Sequence, residues 1–141
     1  MVKVVFAKDK EWEDIYKIRK EVFVEEQGVS LEDEFDDYDL LVQHILIYHD
    51  GKPVGTGRLR FLEDAAKFER ICVRIEARKL GLGSEIINSL EKLAKEEGNV
   101  KQGLIHAQTQ ALSFYEKLGF VVSSEEFMED GIPHVKMLKT F

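Results

Sequence analysis

Arg78-Lys79-Leu80-Gly81-Leu82-Gly83, followed by Ser84, is the segment of this chain best suited to holding a phosphorylated ligand. Its two glycines let the backbone come close to a ligand and adopt positive φ. Successive N–H groups then converge at the start of the helix that follows, where the helix dipole also favours phosphate oxygens. Arg78 and Lys79 add positive charge. The spacing is not that of a dinucleotide fingerprint, and the Lys-Ser/Thr ending of a Walker loop is absent. Alone, a Gly-x-Gly before a helix serves equally well as a structural turn. Elsewhere, four histidines (His44, His49, His106, His134) are scattered without metal-ligand spacing, and Cys72 is the only cysteine. One cysteine allows neither an internal disulfide nor a cysteine-based zinc site, so no metal is expected.

The surrounding pattern supplies a scaffold. Residues 2–8 read as a strand, and Trp12, Ile15, Tyr16, Ile18 and Val22 lie near helical spacing after Asp9. Strands follow at 42–48, 54–61 and 68–73, the first two joined through Asp50-Gly51. From Gly83, the residues Ile86, Ile87, Leu90, Leu93 and Ala94 fall on one helical face that ends near Gly98. A strand at 104–107, a short helix bearing Phe114 and Tyr115, and strands at 120–123 and 134–138 complete the order. This predicts an α/β (α+β) fold, a twisted mixed sheet of about six to seven strands flanked by about four helices. At 141 residues, a single domain over 1–141 is expected. A chain of this size buries roughly 68–70% of its unfolded surface, enough to fold without staples.

Composition narrows the partners. With 44% apolar and 33% charged residues the chain reads as globular. A formal net charge of −7 argues against nucleic acid, whose binding rests on Lys and Arg at phosphates. No apolar run approaches the roughly 20 residues that cross a bilayer, and charge interrupts the N-terminus too early for a signal peptide, so a cytoplasmic location is expected. Glu25, Glu26, Glu32, Asp33, Glu34, Asp36, Asp37 and Asp39 form an acidic run with no basic residue among them. It reads either as a solvated loop or as a collar that attracts a cationic substrate.

Arg78, Gly81 and Gly83 match the Arg/Gln-x-x-Gly-x-Gly/Ala loop of the GNAT superfamily of acetyltransferases, which this chain resembles. A second family-like block, 111–120, contains Phe114 and Tyr115, and Glu69-Arg70-Ile71-Cys72-Val73 is similar to the splayed strand that holds the pantetheine arm. Arg19-x-x-Val22-Phe23-Val24-x-Glu26-Gln27 and Gly131-Ile132-Pro133-His134-x-x-Met137 extend the likeness to bacterial YjcF/ElaA-type acetyltransferases. Many relatives carry Asn where this chain has Ala107-Gln108, leaving Gln108 to reach the pantetheine arm. The resemblance implies acetyl-CoA as co-substrate, held by Ile71, Cys72, Val73, Arg78, Lys79, Leu80, Gly81, Leu82, Gly83, Ser84, Gln108, Phe114 and Tyr115. It also implies a small-molecule or peptide amine as acceptor, and it is compatible with a homodimer.

Acetylating an amine requires loss of an amine proton, polarisation of the thioester carbonyl and stabilisation of the departing thiolate. An alkylamine of pKa about 10.4 is neutral in only about one molecule per thousand near neutral pH, so a base is useful. The resemblance places Tyr115 at the sulfur as acid. A main-chain N–H near Ile71 to Val73 would polarise the carbonyl. Glu69 is one candidate base, because alternation would place it on the face of Ile71 and Val73. His134 is the rival, since histidine titrates in the useful range. Glu26, His44 and Arg58 are candidate substrate-pocket residues, suggested by the resemblance and by their positions. Cys72 reads as a small buried apolar residue.

Two other readings compete. The same fold could hold acyl-CoA without turnover. Alternatively, Arg19, Val22, Phe23, Glu34, Asp36, Asp39 and Arg58 are similar to the N-terminal signature of acyl-homoserine-lactone synthases. Those enzymes are usually longer and lack the CoA loop.

Overall fold

The computed structural model describes residues 1–141. Strand β1 (Val2–Val5) precedes helix α1 (Trp12–Arg19), which runs on as a π-helical stretch at Lys20–Glu26. Helix α2 (Leu31–Glu34) and a 3₁₀ turn (Asp37–Leu40) follow. Strands β2 (Gln43–His49), β3 (Lys52–Phe61) and β4 (Ala66–Val73) make a meander. Next come α3 (Leu82–Glu97), β5 (Gln102–Gln108), α4 (Leu112–Lys117), β6 (Val121–Val122), β7 (Phe127–Glu129) and β8 (Ile132–Thr140).

All eight strands join one mixed sheet in the order β1-β2-β3-β4-β5-β8-β6, with β7 paired to the same β8. The predicted mixed sheet flanked by helices is therefore present. The added strand, β7, is only three residues long and too short to show a period. No helix is long and apolar enough to cross a membrane.

Each face of the sheet carries a core. Ile86, Ile87 and Leu90 of α3 are wholly buried against β2, β3 and β4, each burial stabilising by about 1.5–3 kcal/mol. On the other face, Ile15, Ile18, Val22 and Phe23 pack beneath α1 with Val5, Leu46 and Cys72. Arg19 shares that buried face and is 0% exposed.

The fold opens between β4 and β5. These strands pair in parallel only at Ala66↔Gly103 and Lys67↔Leu104, so the edge of β4 from Phe68 onward is left without a strand partner. A β-bulge adjoins the opening. The β3 register passes from Arg58↔Glu69 to Thr56↔Cys72, so Arg70 and Ile71 together oppose Gly57. Arg70 takes up the extra residue at φ 53°, which costs a non-glycine residue about 1–2 kcal/mol. The bulge reverses the alternation of side chains. Ala66 and Phe68 face the α3 core before it, and Ile71 and Val73 face that core after it. The expectation that Glu69 shares their face is thereby corrected: Glu69 points the opposite way, towards Arg58 and Arg60.

Candidate active site

The loop into α3 has the geometry that its glycines require. Lys79 stands at φ 69° and Gly81 at φ 77°, and Gly81 caps α3 with no side-chain hydrogen bond. The first-turn N–H groups of Leu82, Gly83 and Ser84 therefore have no helical partner at the N-terminus of a 16-residue helix. Gly81 has open space around it, whereas a Cβ on Gly83 would lie 3.0 Å from Phe114 Cζ. Gly81 thus serves the turn, and Gly83 serves the close approach of α4. Lys79 and Leu80 are exposed, and Leu82 is buried. Arg78 is already engaged: its Nη1 and Nη2 donate to Glu26 at 2.6 and 2.7 Å, and its Nε donates to the Val73 carbonyl at 2.9 Å. That pair holds the Glu26 carboxyl below its usual range.

A cavity of about 330 Å³ lies at the opening between β4 and β5. Phe68, Ile71, Ile105, Ala111 and Tyr115 supply apolar wall, while Glu69, Arg58, Gln108 and His134 also line it. Tyr115 packs edge-on against Phe114 and Phe120 at 5.0 and 6.0 Å between centroids. Burial, with a smaller effect of Cys72, pushes its phenol well above the ordinary tyrosine value, so the hydroxyl stays protonated. Gln108 is held at both ends, donating to Gln27 at 2.9 Å and accepting from Gln110 at 2.7 Å. Cys72 faces the α1 core, where burial raises its thiol far above the thiolate range and makes it a poor nucleophile.

The two base candidates sit in contrasting surroundings. Burial opposes the charge of Glu69, but Arg58, Arg60 and Lys67 outweigh it and hold the carboxyl at about 2. Its oxygens accept from Arg58 Nη2 at 2.9 Å and Arg60 Nε at 3.1 Å, with Lys67 Nζ at 3.1 Å. A carboxylate so stabilised is a weak proton acceptor. His134 Nδ1 lies 2.6 Å from the Ile132 carbonyl, which can only accept, so Nδ1 carries the proton. In the neutral ring Nε2 is then the basic nitrogen, 3.7 Å from Glu129. The same carboxylate accepts from His106 Nδ1 at 3.0 Å. His106 and Glu129 both line the cavity. Their pairing was not readable from the sequence, because it depends on β7 folding back beside β8, the strand that also pairs with β5.

One wall of the cavity is formed by a largely buried ion network. Arg19 donates to Glu34 Oε2 at 2.8 Å, the Glu34 carbonyl at 2.7 Å and Asp39 Oδ1 at 2.6 Å. Arg58 donates to Asp39 and Asp36 at 3.0 and 2.7 Å as well as to Glu69. Phe35 stacks on Tyr16 and lies 4.6 Å from the Arg19 guanidinium carbon. The inner acids of the 25–39 run are thus neither a solvated loop nor a free acidic collar, since arginines from α1 and β3 neutralise them. Arg19, Glu34, Asp36, Asp39 and Arg58, which resemble a synthase signature in sequence, have a sufficient structural role here.

Of the three expected acceptor residues, only Arg58 lines the cavity. Glu26 pairs with Arg78 outside it. His44 is 1% exposed, bonds the Asp39 carbonyl at 3.0 Å and packs on Trp12, and burial lowers its pKa. No group of three or more His, Cys, Asp or Glu is arranged to hold a metal.

Residues 7–141 match the family model described as an acetyltransferase (GNAT) domain. The chain is 44% identical to the uncharacterized N-acetyltransferase YjcF of Bacillus subtilis, covering 98% of this chain and 99% of that protein. It superposes on a putative N-acetyltransferase from Lactobacillus plantarum with TM-score 0.88 and 33% identity, covering 99% and 97% of the two chains. Escherichia coli ElaA shares the fold at TM-score 0.85 and 24% identity, covering 99% of both chains.

Proposed function

This chain belongs to the acetyltransferase (GNAT) family, and we propose that, as a single domain over 1–141, it transfers the acetyl group of acetyl-CoA directly to a primary amine. The observation that carries this reading is the unpaired edge of β4, which runs between the α3 N-terminus and Tyr115. Strand-edge N–H and C=O groups suit the amides of a pantetheine arm, as they suit an added strand. The first-turn N–H groups of Leu82, Gly83 and Ser84 suit the pyrophosphate, with Lys79 exposed beside them.

In the transfer, the neutral amine nitrogen attacks the thioester carbonyl carbon and the carbon–sulfur bond breaks. An N–H of Ile71 to Val73 on the open edge supports the developing oxyanion. His134 Nε2 accepts the amine proton, and the Glu129 carboxylate steadies the imidazolium. The Tyr115 hydroxyl donates a hydrogen bond to the departing thiolate. Its raised pKa favours that role over outright proton loss, and the thiol takes its final proton from solvent or the imidazolium. Glu69 serves to position Arg58, Arg60 and Lys67 in place of acting as base.

Calorimetric titration of acetyl-CoA, followed by free-thiol release across an amine panel, tests the reading. Wild type should bind with micromolar Kd, and Tyr115→Phe should bind similarly while kcat falls by about 10²-fold. Absence of acetyl-CoA binding by folded wild type would overturn the assignment.

A further inference from the structure

Resting on the acetyl-transfer reading, we propose that the acceptor amine carries a compact anionic group, bound on the cavity wall by Arg60, Lys67 and Arg70. The ion network along this wall holds one more cation than carboxylates, while Glu129 and Asp130 line the cavity from β7 and the turn after it. Arg19, Arg58, Arg60, Lys67 and Arg70 are five cations, and they share four carboxylates: Glu34, Asp36, Asp39 and Glu69. Burial raises the pKa of Glu34 against the opposing effect of Arg19 and Arg70.

Exposure sets Lys67, Arg60, Arg70 and Asp36 towards the cavity, while Arg19 and Arg58, at 0% and 1%, are buried with the other acids. The side chains of Glu34, Asp39 and Glu69 are 2%, 4% and 8% exposed, whereas those of Lys67, Arg70 and Arg60 are 13%, 19% and 21% exposed. A molecule in the cavity therefore meets guanidinium and ammonium edges with most of the carboxylates behind them. Asp36 is the solvent-accessible acid of the network, and it is committed to Arg58 at 2.7 Å and Arg70 at 3.6 Å.

The cations also have donors to spare. Hydrogen bonds engage Nε and Nη2 of Arg60, leaving Nη1. Nε of Arg70 is hydrogen-bonded to the Glu34 carbonyl at 3.2 Å and Nη2 faces Asp36 at 3.6 Å, so Nη1 remains. The Arg60 guanidinium carbon lies 4.3 Å from the centre of the Tyr38 ring, a cation–π contact. Planar, partly desolvated guanidinium groups with unspent N–H groups match a carboxylate or phosphate. Glu129, with His106 and His134, lines the same cavity and gives the ammonium end of such a zwitterion an anionic neighbour. The cationic acceptor suggested by the acidic run is the opposite of what this wall selects.

The test compares acceptors that differ in one end group. Wild type is assayed by free-thiol release with 4-aminobutyrate, its amide, 3-aminopropylphosphonate and the diamine putrescine, and with leucine against leucinamide. Direct binding of each amine is measured by calorimetry on the CoA-saturated protein. The anionic members should be favoured in kcat/KM or Kd by about tenfold or more over their neutral and cationic counterparts. The carboxylate and phosphonate arms show which anion the wall prefers. Arg60→Gln and, separately, Lys67→Gln should raise KM for the anionic acceptors and narrow that preference, with thermal melts reporting that each variant is folded. Putrescine or the amides favoured over the acids, or no millimolar binding of any acid, would overturn the proposal. Failure of acetyl transfer itself would appear separately, as missing acetyl-CoA binding or missing thiol release with every amine.

Discussion

Replacing Glu69 by Gln tests the electrostatics that remove this residue from proton chemistry. The folded protein holds its carboxyl at about 2, against an ordinary value of 4.5. At 1.36 kcal/mol per pH unit, that depression corresponds to about 3 kcal/mol of stability at neutral pH. The side chain is only 8% exposed, so solvent screens this little. Because the folded value lies below the unfolded one, the stabilisation is complete above about 4.5 and is lost as pH falls towards about 2. Urea unfolding of wild type and Glu69→Gln, followed by far-ultraviolet circular dichroism at pH 7 and pH 3, reads it directly. Wild type should exceed the variant by about 3 kcal/mol at pH 7, and the gap should narrow by about 2 kcal/mol at pH 3. An unchanged gap would show that Glu69 titrates normally and would restore it as a candidate base.

Other perturbations separate the parts of the site. Glu26→Gln frees Arg78 from an exposed bidentate pair and should tighten acetyl-CoA binding by about twofold to fivefold in calorimetry. Gly81→Ala, at φ 77° with space around it, should lower stability by about 1–2 kcal/mol in thermal unfolding through backbone strain alone. Arg19→Met removes one of two arginine partners from each of the buried Glu34 and Asp39 and should cost about 3 kcal/mol in urea denaturation. Glu129→Gln should leave the His134 tautomer in place but remove the anion beside Nε2, lowering kcat by about tenfold in the free-thiol assay.

The loop at Arg78–Gly83, the α3 helix and the Tyr115 helix were legible because their signals are local: glycine spacing, a 3.6-residue period and a cap. The roles of the charged residues were not. Glu34 and Asp39 look solvated in sequence because their partner Arg19 stands 15 and 20 residues away. The His106–Glu129 pair spans 23 residues and depends on a three-residue strand. The bulge was hidden for another reason: its strained position is filled by Arg70, so no glycine advertises it, and strict alternation assigns Glu69 to the wrong face.

That one-residue excess divides β4 into two sections with separate duties. Upstream, Lys67 and Glu69 belong to the charged wall that an acceptor would meet. Downstream, Ile71 and Val73 join the core beneath the stretch offered to the thioester arm. A side-chain substitution in one section therefore leaves the facing of the other unchanged. Deleting Arg70 would pair Ile71 directly with Gly57 and leave Glu69, Ile71, Cys72 and Val73 on their present faces, so the loss would fall on the contacts of Arg70 with Glu34 and Asp36 and on the bend of the strand at the opening.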